Sequence, residues 1–161
     1  MKFYHLTRTQ FLPITLKEAW DFFSTPENLS KITPPHMNFR ILFRSGGEKM
    51  YPGQIIKYKV DVLRGVTVQW VTEITHVVEP ALFVDEQRSG PYAVWHHQHH
   101  FTEVEGGVKM TDELTYALPL GWLGRLAHWL LVGREVNAIF EFRNKVLEQM
   151  FNRQSPQAKV K

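Results

Sequence analysis

The sequence predicts an α+β fold in which a curved antiparallel sheet of seven strands wraps around a long C-terminal helix. Three observations carry that expectation. Between Met37 and Leu118, apolar and polar residues alternate with the two-residue period of a strand. The dipeptides that interrupt the alternation leave no room for a crossover, so neighbouring strands must run antiparallel. After Pro119 the apolar period becomes helical.

In order, Phe3 to Leu12 reads as a first strand ended by Pro13. Leu16, Ala19, Trp20 and Phe23 recur at helical spacing, with Thr15 as N-cap and Glu18 three residues on, a capping box. Pro26 opens a second short helix through Ile32, stopped by Pro34-Pro35. Six strands follow: Met37–Arg44, Gln54–Leu63, Val66–Val78, Ala81–Arg88, Tyr92–Val104 and Val108–Leu118. Their turn signals are Gly46-Gly47, Pro52-Gly53, Arg64-Gly65, Glu79-Pro80, Gly90-Pro91 and Gly106-Gly107. In the last helix, a stripe from Leu123, Leu126 and Leu130 through Val136, Phe140 and Arg143 to Leu147 and Met150 should face the sheet. Residues 1–151 form the expected domain, and the aperiodic 152–161 a flexible polar tail. One helix cannot fill a strongly curved sheet, so a cavity is expected between them. The Arg44–Gln54 segment, rich in glycine, is a gating-loop candidate.

Composition narrows the function classes. With 161 residues the chain can bury about 70% of its surface, enough for a core with a hole in it. The 43% hydrophobic content excludes disorder, and the absence of cysteine excludes disulfides, thiolate metal sites and a cysteine nucleophile. The net charge of +3 is scattered rather than clustered, which argues against a nucleic-acid partner. Arg125 and His128 interrupt the greasiest stretch, so no stable membrane insertion is expected. No secretory signal is visible, which makes a cytoplasmic monomer or homodimer the expectation. Phosphate loops, nucleophile elbows and H-E-x-x-H are absent from the sequence.

The candidate site comes from strand parity. Val108, Met110, Asp112, Leu114, Tyr116 and Leu118 share one face of the last strand, so Asp112 is a carboxylate on an apolar face. In the preceding strand Trp95 and Phe101 mark the inner face and carry His97 and His99 with them. A Gly106-Gly107 turn would set His99 opposite Leu114, His97 opposite Tyr116 and Phe101 opposite Asp112, with Asp112 diagonal to His99. Histidine is the nearest partner for the buried carboxylate. One strand earlier, Phe83, Asp85 and Gln87 alternate with Leu82, Val84 and Glu86, and either set could be the inner one. Trp70 and Trp95, on strands, are expected as pocket walls; Trp20, Trp122 and Trp129, on helices, as packing residues. Arg143 either snorkels past the helix or pairs with a carboxylate. Two histidines at i, i+2 with Asp112 or Asp85 could ligate a divalent ion. Four clustered histidines are nevertheless no metal signature, and neither metal nor cofactor is expected.

Phe83 to Tyr92 (F-V-D-E-Q-R-S-G-P-Y), Trp95 to Phe101 (W-x-H-x-H-x-F) and Thr111 to Pro119 (T-D-E-L-x-Y-x-L-P) resemble the SRPBCC superfamily. That superfamily includes START lipid-transfer domains, birch-pollen-allergen proteins and polyketide cyclases. The resemblance extends over residues 1 to about 151 and is most specific to a bacterial stand-alone ligand-binding subgroup, also found fused to sugar-epimerase-like domains. It implies a helix-grip fold, and Asp85, Gln87, Trp95, His97, His99, Asp112 and Tyr116 as a polar signature. The resulting expectation is a binder of a hydrophobic or aromatic small molecule, lined by Trp70, Asp85, Gln87, Trp95, His97, His99, Phe101, Asp112 and Tyr116. The alternative is a cyclase or aromatase-like enzyme in which His97 or His99, oriented by Asp112, abstracts a proton and Tyr116 donates to the enolate. A second alternative is a protein-interaction module with a vestigial cavity.

Overall fold

The computed structural model describes residues 1–63 and 65–152. Arg64 and 153–161 lie outside the described residues, and with them most of the expected tail; Asn152 ends the last helix. The seven strands form one antiparallel sheet in the order β1-β7-β6-β5-β4-β3-β2. They are β1 (Phe3–Leu12), β2 (Arg40–Arg44), β3 (Gln54–Leu63), β4 (Val66–Val78), β5 (Leu82–Ser89), β6 (Val94–Val104) and β7 (Gly107–Ala117). A helix runs from Trp122 to Asn152 in three parts: α2 (Trp122–Ala127), a π-helical turn His128–Val132, and α3 (Gly133–Asn152). This is the helix-grip architecture.

Between β1 and β2 stand α1 (Leu16–Phe23) and a 3₁₀ helix (Pro26–Ile32). Thr15 and Glu18 close the capping box: Thr15 N–H donates to Glu18 Oε2 at 2.8 Å, and Glu18 N–H to Thr15 Oγ1 at 3.2 Å. The strand expected from Met37 begins only at Arg40. Pro34 and Pro35 start a further 3₁₀ turn, and Asn38 leaves it with a left-handed backbone (φ 46°), which breaks the extended run.

The β6–β7 hairpin turns on Glu105-Gly106, not Gly106-Gly107. Gly106, the second central residue, takes a positive φ (78°) that glycine adopts without steric cost. Gly107 is the first residue of β7, where a Cβ would lie 2.2 Å from the Leu12 carbonyl oxygen; β1 passes too close for any side chain. The register therefore slips by two residues from the expected one. His99 faces Asp112 directly, His97 faces Leu114, Trp95 faces Tyr116 and Phe101 faces Met110. A two-residue slip preserves which face each side chain occupies.

The helical stripe also differs. Val136, Phe140, Arg143 and Leu147 of α3 are buried on the sheet as expected. Leu123, Leu126 and Leu130 are about half exposed, because α2 and the π turn stand at the rim of the sheet rather than in its grip. Trp122 and Trp129, expected to pack, are 65% and 74% exposed, while Trp20 is buried. The core divides into a cluster under α1 (Leu12, Trp20, Phe23, Phe101, Leu147), one around Leu114, Tyr116 and Phe140, and one around Met37, Val60 and Trp70. The Arg44–Gln54 segment is tied down: Met50 N–H donates to Ser24 O (2.8 Å), Lys49 pairs with Asp21, and Gln54 Nε2 reaches Ser45 O (3.2 Å).

Candidate functional site

Strand alternation delivers four polar side chains to the concave face of the sheet. β5 presents Phe83 and Asp85, which decides between its two faces; β6 presents Trp95, His97 and His99; β7 presents Asp112. Arg143 of α3 comes down onto them from the opposite side. His97 and His99, two residues apart, bring their ring centroids to 3.8 Å, and Phe83 stacks on His99 at 4.1 Å.

Each imidazole offers one nitrogen to each carboxylate. His97 Nε2 bonds Asp112 Oδ1 at 3.0 Å, and His97 Nδ1 is 3.5 Å from Asp85 Oδ2. His99 Nε2 bonds Asp85 Oδ2 at 2.8 Å, and its Nδ1 lies 2.9 Å from Asp112 Oδ1, outside hydrogen-bond geometry. Arg143 Nη1 stands 3.5 Å from the same Asp112 oxygen and likewise lacks an aligned partner. The carboxylate partner, not a snorkelling path, is the one Arg143 takes.

Burial and pairing oppose each other throughout this cluster, and the balance differs by residue. Burial alone would raise the Asp112 carboxyl, but the His97 bond, the close His99 imidazole and the Arg143 charge hold it well below the usual carboxylate range. Asp85 is likewise lowered, its burial outweighed by the His99 bond and the charge of His97. For His97, burial and the neighbouring His99 charge push the pKa down despite the two carboxylates. For His99, burial pushes down but Asp112 and Asp85 win, and the pKa rises. The shifts run in opposite directions, favouring the neutral form of His97 and the cationic form of His99. Two carboxylates, one imidazolium and one guanidinium then sum to zero charge.

A cavity of about 500 Å³ opens between this cluster and the helix. Its walls are mainly apolar, including Met37, Trp70, Phe83, Trp95, Ile139 and Phe140. Its polar groups gather where Asp85, His97, His99 and Arg143 reach the lining, with Tyr58, Thr72 and Tyr92 nearby. Of the expected lining residues, Trp70, Asp85, Trp95, His97 and His99 reach it; Gln87, Phe101, Asp112 and Tyr116 do not. Gln87 clamps the β5–β6 loop, its amide donating to Tyr92 O (2.7 Å) and accepting from Tyr92 N–H (3.2 Å). Phe101 is packed edge-on against Trp20. Asp112 sits behind the two imidazoles. Tyr116 turns away to His128 Nε2 (2.8 Å), and burial pushes its phenol up to about 12, so it stays protonated but pairs with His128 outside the cavity lining. Sequence reasoning missed Tyr58 and Thr72, bonded to each other across β3 and β4 (3.1 Å). The Ile56-Tyr58-Val60 alternation was the signal that could have found Tyr58. The outer face of β6 carries His96 and His100 in a polar ladder with Glu86 and Gln98.

No protein-family model matches the sequence, and no curated protein matches it. Solved structures do match in fold. The chain is similar to TTHA0849 from Thermus thermophilus (17% identity, 95% of this chain and 100% of that one, TM-score 0.67). It is similar to Ara h 8.0201 (14% identity, 92% and 99%, TM-score 0.58). It also matches half of BexL, a di-domain ARO/CYC protein from the BE-7585A biosynthetic pathway (16% identity, 91% of this chain and 50% of that one, TM-score 0.62). At these identities the likeness is one of fold, and it agrees with the helix-grip architecture. No helix among the described residues is long and apolar enough to cross a membrane.

Proposed function

We propose that the protein binds one hydrophobic small molecule, with an oxygen acceptor at one end, in the cavity between the sheet and α3. A volume of about 500 Å³ suits such a ligand, and apolar walls with a few converging polar groups are the usual make-up of a small-molecule site. One observation carries the reading. Arg143 Nε and Nη1 and Trp70 Nε1 are buried without a hydrogen-bond partner, on residues that line the cavity. A buried donor left unpaired costs about 1–3 kcal/mol, and a ligand carboxylate or carbonyl relieves that cost.

The probe is 1-anilinonaphthalene-8-sulfonate, an aromatic anion. It should bind the cooperatively folded chain at one equivalent, at least tenfold more weakly after Trp70→Ala or Arg143→Met. Ile139→Trp, which fills the cavity, should abolish binding, whereas Tyr116→Phe should leave it unchanged. Binding that ignores Ile139→Trp, or no binding at all, sinks the proposal.

A second reading has its own observation: two imidazoles line the same cavity, and their surroundings favour the neutral form of His97 and the cationic form of His99, a base beside an acid. In it His97 abstracts a proton next to a ligand carbonyl and His99 donates to the enolate. Turnover of an aromatic polyketone that is lost in His97→Ala, with probe binding kept, would favour catalysis over carriage.

A further inference from the structure

The histidine–aspartate cluster has an arrangement that mutual pairing alone does not require. Both rings turn one nitrogen to Asp112 at the back, His97 Nε2 at 3.0 Å and His99 Nδ1 at 2.9 Å. Both turn the other nitrogen to Asp85, His97 Nδ1 at 3.5 Å and His99 Nε2 at 2.8 Å. Asp85, His97 and His99 line the cavity, and Asp112 does not. His97 gives its Nε2–H to Asp112, so its Nδ1 lone pair faces the Asp85 carboxylate 3.5 Å away. Lone pair against carboxylate is unfavourable unless a cation lies between them. A metal ion there also meets His99 Nε2, on the same Asp85 oxygen.

We infer that Asp85, His97 Nδ1 and His99 Nε2 form a binding site for one divalent transition-metal ion, with Asp112 as the carboxylate that orients both imidazoles from behind. One ligand atom from each of the three residues lies within 4.8 Å of the others, with His97 Nδ1 and His99 Nε2 at 3.5 and 2.8 Å from Asp85 Oδ2, a spacing that side-chain rotation fits around an ion at about 2.0–2.2 Å from each. Two imidazoles and one carboxylate suit zinc or ferrous iron, and such a set leaves coordination positions open. Here those positions face the cavity. Ligating histidines characteristically donate their second nitrogen to a carboxylate, and a small rotation of His99 aligns that bond with Asp112. Phe83 stacked on His99 and Phe140 edge-on to His97 limit other ring motions. A dication beside Arg143 makes this end of the cavity positive, so the open positions favour an anionic oxygen.

The test uses the full chain, stripped with chelator and titrated with Co²⁺ and Zn²⁺ separately from any probe of the cavity. One equivalent should bind with micromolar or tighter Kd and give a Co²⁺ spectrum of low coordination number. Asp85→Asn and His99→Ala should abolish binding, Asp112→Asn should weaken it about 10–100-fold, and His96→Ala/His100→Ala on the outer face should leave it unchanged. Where a variant does not fold, imidazole nitrogen NMR of the unaltered chain decides: Zn²⁺ should move the His97 Nδ1 and His99 Nε2 signals and spare His96. Absence of saturable binding, binding that survives Asp85→Asn and His99→Ala, or binding that follows His96 and His100 overturns the inference. Failure here leaves the cavity proposal standing, because the aromatic anion and the metal are read independently.

Discussion

Replacing Asp112 by Asn tests the electrostatic account of the buried cluster most directly. Asparagine keeps the shape and one acceptor oxygen but removes the charge that faces His97, His99 and Arg143 at 3.0, 2.9 and 3.5 Å. The metal-free cluster then goes from neutral to +1 in a site where Asp112 is only 4% exposed. Removing one partner of a buried ion pair costs about 3–5 kcal/mol. His99 can release its proton and restore neutrality, so the lower end, about 3 kcal/mol, is expected. For a chain of this length that corresponds to a Tm about 6–12 °C lower. The sign with pH follows from the depressed carboxyl. Its stabilising contribution is present above the unfolded-state value of about 3.9 and is lost as pH falls through the lower folded-state value. Urea unfolding followed by circular dichroism, in chelator, should therefore show the full loss at pH 6–7 and a shrinking one toward strong acid. Glu113→Gln, one residue along on the exposed face, is the control and should change little. A loss under 1 kcal/mol at neutral pH, or one that does not vary with pH, would mean that the cluster is solvated or differently charged.

Two further expectations concern protonation and the turn. In metal-free protein near pH 6.5, imidazole NMR should find His99 cationic and His97 neutral, because their pKa values shift in opposite directions; ordinary midpoints for both rings would contradict this. Gly107→Ala should destabilise the chain more than Gly106→Ala, since the first drives a methyl into the Leu12 carbonyl while the second adds only left-handed strain of about 1–2 kcal/mol; equal Tm losses would show that β1 yields freely.

Much of this was legible from residue order alone. Alternation along β6 and β7 assigned His97, His99 and Asp112 to the inner face, and the turn dipeptides required an antiparallel sheet. Parity is a property of the extended backbone itself, so it survived a wrong turn and a two-residue slip. Arg143, a cation in an apolar stripe, left two alternatives open, snorkelling or a carboxylate partner, and Asp112 decides for the second.

Other features depended on contacts between distant segments. The turn moved to Glu105-Gly106 because β1 lies against Gly107, and that slip put His99 directly opposite Asp112. Asp85 came inward although the Leu82-Val84 face was equally apolar in sequence. Tyr116, on the right face of β7, was drawn out of the cavity by His128 on the π-helical turn. Trp122 and Trp129 stayed outside because α2 and the π-helical turn stand at the rim of the sheet. Periodicity reports which side of its own strand or helix a residue occupies. Curvature, register and the position of the helix set what it meets there, and those arise only when the whole sheet closes on the helix.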